Sequence, residues 1–289
     1  MTFRFVDAQN AAYPVTILCR MLEVSRGGYY AWRKRQAQPS ARRQSDLVLQ
    51  AALRKVHAAG RSVYGSPRLT TAAKAAGIAI GRHATARLMR REGLVGRCWS
   101  RRPRSTPATP STCVIPNRLM RSFKQLTPDR VWVSDITYLP TKYGTLYLAV
   151  VLDLYARRVV GHAIADHMRT ELPLAALDMA MGQRRPASGL LHHSDQGSQY
   201  TSHAYQDELK KHGVIPSMSR RGQCWDNAVV ESFFSSLKSE IDLPRRHRQT
   251  HAQVKAKVFD YIEVFYNRQR LHSFNDNRTP AQTEAEADR

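Results

Sequence analysis

A chain of 289 residues with 42% hydrophobic residues can build one domain of ordinary size and one or two smaller ones, which excludes a disordered protein. The formal net charge of +22 indicates a polyanionic partner, most simply nucleic acid. Four scattered cysteines without CxxC spacing and the absence of any run near the roughly 20 apolar residues of a membrane span predict a globular cytoplasmic protein with no membrane partner.

The positive charge is concentrated at the front of the chain. Residues 1–121 hold 23 Lys and Arg against 4 Asp and Glu, a net charge of +19, and the remainder carries +3. This asymmetry predicts separate binding and catalytic parts. The predicted division is a helix-turn-helix-like segment at 1–40, a second such domain at 41–99, a linker at 100–121 and a catalytic core at 122–289.

The segment at 14–34 outlines two short helices, because apolar residues at helical spacing are followed by a second helical piece. As a helix-turn-helix, the second helix would present basic and aromatic side chains to DNA, namely Arg26, Tyr29, Tyr30 and Arg33. The alternative is a plain helical hairpin with Tyr29, Tyr30 and Trp32 in its core.

The second domain shows the stronger helix-turn-helix pattern. Ser45 or Asp46 can cap a helix that runs to His57, and Ser66-Pro67 provides the N-cap and first turn of a helix that stops at Gly77. A further helix begins near Arg82 and is rich in arginine. Its candidates for DNA phosphates are Arg82, Arg87, Arg90 and Arg91. The alternative is a basic, solvated face without a ligand.

Beyond a proline-rich linker, the pattern changes to that of an α/β sheet. The runs VWVSDITYLP and LYLAVVLDLYARRVVGHAI predict three strands with a turn at Asp153–Arg157. Helices are expected at 170–181, from Thr201 or Ser202 to Lys211, and from about Asp226 and His251; strands are expected at Leu190–His193 and Val214–Met218. This order predicts a mixed five-stranded sheet with flanking helices.

Three acidic residues stand where chemistry explains them best. Asp is disfavoured inside strands, so Asp135 in VWVSDITYLP requires a functional reason. Asp195 follows a buried strand and lies at its C-terminal edge, where α/β sheets commonly build their sites. On the helix after Asp226, Asn227 and Glu231 share a face separate from the buried stripe, and Lys238 lies two turns beyond Glu231 on that face. Glu231 can face the two aspartates, with Lys238 placed for a phosphate.

The separation of 36 positions between Asp195 and Glu231 is weak evidence by itself. Asp135 and Glu171 have the same separation, but Glu171 lies at a predicted helix start, where the helix dipole explains it. Asp153 is another rival, and its place beside a hairpin turn explains it as a turn residue.

The motifs HHSDQGSQY, DNAVVESFFSSLKSE and YNRQRLHS, together with the helix-turn-helix patterns, resemble the OrfB-type transposases of the insertion-sequence-three family, members of the retroviral-integrase superfamily. The resemblance covers nearly the whole chain. It implies a ribonuclease H-like catalytic core and a bacterial protein that associates with the nucleoid when bound to DNA. It carries the family's acidic triad onto Asp135, Asp195 and Glu231, and the trailing basic residue onto Lys238.

Such a triad implies metal-dependent phosphoryl transfer. Carboxylates suit Mg²⁺ or Mn²⁺, and two ions per active site are expected. Water as nucleophile would cleave DNA at an element end, and a freed 3′-hydroxyl would join strands. The expected partners are double-stranded DNA at terminal repeats and target, further copies of the chain on that DNA, and an upstream-frame product that is fused or associated. The chain itself shows no sustained leucine heptads.

Residues around the triad carry supporting predictions. His193 is expected to support the metal ligands, and His192 to pack within its strand. The polar loop at 219–223 would bring Arg220 and Arg221 over DNA. In YNRQRLHS, Arg268 and Arg270 are candidates for phosphates, with a solvated helix end as the alternative.

Two other functions stay open on the sequence. One is a metal-dependent nuclease that cleaves without joining, and the other is a non-catalytic DNA-binding regulator that uses only the first 100 residues or so. Attachment of a labelled 3′ end to a second DNA excludes the nuclease. Under the regulator hypothesis, Glu231→Gln leaves every activity unchanged.

Overall fold

The computed structural model describes residues 2–37, 40–97, 115–220, 224–243 and 249–287. The helices are α1 (Thr2–Gln9), α2 (Val15–Met21), α3 (Arg26–Ala37), α4 (Ala41–Ala59), α5 (Ser66–Ala75), α6 (Arg82–Glu92), α7 (Glu171–Arg184), α8 (Ser198–Thr201), α9 (His203–Lys211), α10 (Ala228–Glu240), α11 (His251–Phe259) and α12 (Pro280–Ala287). The strands are β1 (Val131–Thr141), β2 (Gly144–Asp153), β3 (Val159–Ala165), β4 (Leu191–Ser194) and β5 (Ile215–Met218). A π-helical segment at Asp260–Tyr266 continues α11.

The five strands form one mixed sheet in the order β3-β2-β1-β4-β5. The meander β1-β2-β3 is antiparallel, and β4 and β5 join it in parallel, which confirms the predicted fold class. Pairing between β1 and β4 stops at Val133 and His193. The same register continued by two residues brings Asp195 level with Asp135. The point where the two parallel strands part is therefore where both aspartates lie.

Each face of the sheet is covered by helices. On one face, α7 and α9 pack against alternate residues such as Trp132 and Val151. On the other face, α10, α11 and the π-helical segment pack against Val133 and Val150. Buried residues of α4, α5 and α6, including Leu53, belong to this same hydrophobic cluster. The helices of the second predicted domain thus share a core with the sheet.

The hairpin and helix starts that explained the rival acids are confirmed. Asp153 ends β2, and its carboxylate accepts hydrogen bonds from the backbone N–H groups of Tyr155 at 3.0 Å and Asp129 at 3.1 Å. Burial raises the pKa of Asp153 to about 7. Glu171 is the first residue of α7. Asp153 thus has a local structural role at its turn, and Glu171 stands at a helix start as predicted.

The first helices build a small core of their own, which corrects one prediction. Tyr29 is fully buried with Val6 and Leu18, and its hydroxyl donates to Asp7 Oδ1 at 2.8 Å. The prediction that Tyr29 reaches DNA is therefore wrong, and Tyr29 has the core position of the helical hairpin. Helix α1, which supplies Asp7, was not predicted.

Two predicted helix caps are also wrong. Helix α4 begins at Ala41, and the Ser40 side chain accepts a hydrogen bond from the Arg43 N–H, so the start lies several residues before Ser45. The N-cap of α5 is Gly65, with Ser66 already in the first turn. Several polar or small residues near each helix start can serve as the N-cap, and residue type alone did not single out Ser40 or Gly65.

Gly161 in β3 lets α7 approach the sheet closely. A Cβ at this position would collide with the Ala176 carbonyl oxygen and lie 2.8 Å from Ala180 Cβ. We expect Gly161→Ala to lower the free energy of unfolding by about 1–3 kcal/mol, because neither the helix nor the strand backbone can yield cheaply. Urea denaturation measures this.

The matched control is Gly182→Ala in α7, where a Cβ meets nothing within 4 Å. This variant should gain roughly 0.5–1 kcal/mol, because alanine favours the helix. Equal stability of the two variants would contradict the close packing of α7 on β3.

Within the described ranges, no helix is both long and apolar enough to cross a bilayer.

Candidate active site

Asp135 lies in the middle of β1, opposite Val150 of β2, and is half-buried. Its Oδ1 accepts the backbone N–H of Ile136 at 2.7 Å. Burial raises the pKa of Asp135 well above its usual range, and the nearby charges of Asp195 and Glu231 raise it further. A carboxylate in this position is held at high energy unless a cation compensates it.

Asp195 stands one residue beyond β4 and is open to solvent on one side. Its Oδ1 accepts the backbone N–H of Gly197 at 3.0 Å, which forms the turn into α8. The protein on its other side removes water, and this burial raises the pKa of Asp195. The side chain is thus both accessible and oriented by the turn.

Glu231 and Lys238 come from α10, which packs on β1. Glu231 lies in the first turn of the helix and is exposed, and partial burial raises its pKa. Burial lowers the pKa of Lys238, while the charge of Asp135 works in the opposite direction. The charges of Glu231 and Lys238 both act on Asp135, so the four predicted site residues lie in one region.

The three acids do not form a complete set of metal ligands in this arrangement. Among the residues that the structure describes, no three His, Cys, Asp or Glu side chains lie in an arrangement that could hold an ion. A cation would need the exposed side chains to turn towards Asp135.

The two histidines before Asp195 are buried and face opposite sides of the sheet. His192 Nε2 lies 2.9 Å from Ser134 Oγ and 3.1 Å from the Tyr205 hydroxyl, in agreement with the predicted packing role. His193 lies 2.9 Å and 3.1 Å from the hydroxyls of Ser217 and Ser219. Burial lowers the pKa of His193 to about 4, so this ring is neutral at pH 7.

A buried carboxylate just before α10 was not among the predicted site residues. Asp226 is fully buried and accepts hydrogen bonds from Asn117 Nδ2 at 2.8 Å and from Arg121 Nε at 2.8 Å. Burial opposes its charge, but the bonds from Arg220 and Arg121 outweigh that cost and lower its pKa. Asp226 fixes the start of the helix that carries Glu231. An acid directly before Asn227 was the only signal for it in the sequence.

Two further predicted residues adjoin this carboxylate. The Arg220 side chain lies 3.3 Å from Asp226 Oδ2, although about half of it remains exposed. Asn227 is buried, and its Nδ2 donates to the Ser134 carbonyl at 3.4 Å, so it ties α10 to β1. Arg221 lies outside the described residues.

The arginines of α6 divide into two groups. Arg87 makes two hydrogen bonds of 2.7 Å to Asp46 of α4, and Arg91 lies 3.7 Å from the same carboxylate. Arg82 and Arg90 are exposed and have no ion pair with other described residues. Arg87 therefore joins two helices, and Arg82 and Arg90 have the exposure that the predicted DNA contacts require.

The prediction that Arg270 binds phosphate is wrong. Arg270 is 3% exposed, and its guanidinium makes hydrogen bonds of 2.8 and 2.7 Å to Glu240 at the end of α10. Its position in a polar, basic motif concealed this, because the acidic partner lies 30 residues earlier. Arg268 is exposed, as the same prediction requires.

The raised pKa of Asp135 makes stability depend on pH and cations. The pKa of this carboxyl is higher in the folded protein than in the unfolded chain, where it is near 4. The free energy of unfolding therefore falls as the pH rises above about 4. At neutral pH, without divalent cations, we expect Asp135→Asn to melt a few degrees above wild type, because about 1 kcal/mol shifts Tm by roughly 2–4 °C. Differential scanning fluorimetry with and without Mn²⁺ measures this.

Addition of Mn²⁺ should raise the wild-type Tm more at pH 8 than at pH 5, and should leave Asp135→Asn nearly unchanged at either pH. Asp178→Asn provides a control on α7, outside the candidate site. An equal Mn²⁺ response in wild type and Asp135→Asn would contradict the role of Asp135.

Comparison with known families divides the chain as follows. Residues 43–104 match the HTH-like domain family. Residues 125–224 and 212–280 match two families that are each described as Integrase core domain. The matched ranges include the candidate site, most of α4, and all of α5 and α6.

Relatives align over nearly the whole chain. The insertion element IS600 uncharacterized 31 kDa protein of Shigella sonnei is 41% identical over 91% of this chain and 96% of its own length. Transposase InsF for insertion sequence IS3A of Escherichia coli (strain K12) is 37% identical over 98% of each chain. A solved structure of the HTLV-2 integrase catalytic core domain in complex with magnesium is 16% identical, covers 55% of this chain and 98% of its own, and gives a TM-score of 0.42.

Proposed function

Because this chain belongs to the IS3 family of transposases, we propose that Asp135, Asp195 and Glu231 are the acidic triad with which it cleaves and joins DNA strands. The protein is an enzyme of DNA transposition with an integrase core domain. The observation that supports the assignment of residues is the register of β1 and β4, which brings Asp135 and Asp195 level where the two strands part. Glu231 and Lys238 on α10 are near enough for their charges to shift the pKa of Asp135.

The donor set suits hard divalent cations. Three carboxylates, two of them exposed, offer the oxygen ligands that Mg²⁺ and Mn²⁺ prefer. Two such ions, when bound, would activate the attacking oxygen and stabilise the leaving 3′ oxygen. A cation would also offset the burial and the carboxylate repulsion that together raise the pKa of Asp135.

The remaining residues of the site hold these groups in place. Asp226 and Asn227 anchor the start of α10, so Glu231 keeps its position against β1. Lys238 has a half-buried amine near Asp135 and can orient a phosphate of the scissile strand. His193 is neutral, and its hydrogen bonds with Ser217 and Ser219 tie the end of β4 to β5 beside the site.

The test is a cleavage and joining assay on DNA that carries the ends of the encoding element, with Mg²⁺ or Mn²⁺. A 3′-labelled end that becomes attached to a second DNA supports the proposal. Cleavage without attachment would favour the nuclease, and DNA binding with neither reaction would favour the regulator. A fusion to the upstream-frame product belongs in the same assay, because we propose that this product joins or associates with the chain.

We also propose that α6 contacts DNA through Arg82 and Arg90, and that several copies of the chain assemble on the paired ends. Arg90→Gln should weaken DNA binding and reduce the slope of log K against log salt by about 1, because one phosphate contact is lost. Fluorescence anisotropy at several salt concentrations measures this.

Arg87→Gln is the matched control on the same helix. Its main effect should be on stability, because Asp46 loses its bidentate partner. The proposal for Arg90 fails if its variant binds DNA with the wild-type salt slope. Sedimentation velocity with and without the DNA ends tests assembly.

A further inference from the structure

Tyr64 lies in the loop between α4 and α5, and its hydroxyl makes hydrogen bonds to the C-terminal part of the chain. The phenol oxygen donates to the Gln269 carbonyl at 3.2 Å and accepts the backbone N–H of Leu271 at 3.2 Å. These two residues flank Arg270. One buried hydroxyl from the HTH-like unit therefore fixes the backbone on both sides of this arginine.

The Arg270 side chain carries the connection to α10. Its guanidinium makes the bidentate bond to Glu240, the last residue of α10, and the Tyr261 hydroxyl donates to the same carboxylate at 2.9 Å. Both charged side chains are almost fully buried. Burial opposes the charge of Arg270, but the bond to Glu240 outweighs it and raises the Arg270 pKa. The end of α10 is thus held by a buried, bidentate ion pair.

Other contacts join the same two parts of the molecule. Arg97, after α6, donates to the Ser239 carbonyl at 3.3 Å, which is also at the end of α10. Arg61 makes two hydrogen bonds to Asp260, and its guanidinium lies 4.7 Å from the centre of the Phe265 ring. Since buried residues of α4 to α6 also share the hydrophobic cluster with α10, the contact is continuous.

We infer that Tyr64, through Arg270 and Glu240, is a positioning residue that couples the HTH-like unit to the placement of Glu231. Glu231 and Glu240 lie nine positions apart on one helix, which is about 13.5 Å at a rise of 1.5 Å per residue. A stable helix held at its far end transmits a shift of that end to its first turn. DNA held by α4 to α6 is in this way linked to the acid that acts on it.

This inference rests on the proposed function of Glu231, and the test separates the two. Tyr64→Phe removes the hydroxyl and keeps the ring. Thr70→Val is the matched control, because it removes another buried hydroxyl of the same unit, one whose hydrogen bond at 2.7 Å goes to Ser66 within its own helix. The full chain is used in every experiment.

Two measurements are made on each variant. Amide hydrogen exchange across Ala228–Glu240, with and without a DNA end, measures the local stability of α10 and requires no catalysis. The single-turnover cleavage rate at saturating DNA, over a series of Mn²⁺ concentrations, reports the position of Glu231. DNA affinity is measured without metal.

We expect Tyr64→Phe to speed exchange in α10, to abolish the protection that DNA adds there, and to slow cleavage about 10-fold with DNA affinity unchanged. The half-saturating Mn²⁺ concentration should rise, an effect that simple loss of folded protein does not produce. Thr70→Val should leave α10 exchange and the Mn²⁺ requirement at wild-type values.

Equal exchange in the two variants would overturn the inference, and so would wild-type cleavage by Tyr64→Phe with wild-type Mn²⁺ dependence. Failure of the proposed function has a different signature, in which Glu231→Gln cleaves as well as wild type. In that case the exchange result still decides whether Tyr64 holds α10.

Discussion

Glu231→Gln is expected to abolish DNA cleavage and strand joining while the protein still folds and binds DNA. Glutamine keeps the size of the side chain but removes the charge that a divalent cation requires. Loss of about 4 kcal/mol of stabilisation in the transition state corresponds to a rate at least roughly 10³-fold lower. Product formation from end-labelled DNA under single-turnover conditions measures the effect.

Glu171→Gln is the matched control for this variant. Glu171 has the same separation in sequence from Asp135 as Glu231 has from Asp195, but it begins α7. It should retain wild-type rates. Asp195→Asn should be as inactive as Glu231→Gln, and cleavage retained by either of these two would refute the assigned triad.

The largest effect on stability is expected at Arg270. Arg270→Met leaves the buried carboxylate of Glu240 without its bidentate partner, and loss of one partner of a buried pair costs about 3–5 kcal/mol. The Tm should fall by roughly 10 °C, at about 2–4 °C for each kcal/mol. Thermal unfolding monitored by circular dichroism measures this shift.

The double variant Glu240→Gln/Arg270→Met should recover a large part of the loss, because the uncompensated charge is gone. Arg268→Met is the control in the same motif: its side chain is exposed, and its effect should stay within about 0.5 kcal/mol. Equal stability of the Arg268 and Arg270 variants would contradict the buried pair.

Local patterns were sufficient for most of the fold. The alternation of β-branched and aromatic residues located β1, β2 and β3, and the turn at Asp153 followed from its residue type. Helix boundaries were less accurate, as α4 shows, because several residues near a helix start have similar preferences for the capping position. The candidate acids stood out because Asp135 interrupts a strand and Glu231 lies off the buried stripe of its helix.

The sequence by itself indicated the order of most elements and the basic front of the chain, because these depend on local period and residue type. It made Asp135, Asp195 and Glu231 the candidate acids through their positions together with the family resemblance. Only the tertiary structure decided which polar side chains are paired within the protein and which face solvent. Arg87 and Arg270 look alike in sequence to a DNA-binding arginine, and each is paired with an acid far along the chain. Asp226 likewise gains its partners only through folding. A charge is assigned to solvent, ligand or partner by what surrounds it, and long-range contacts supply those surroundings.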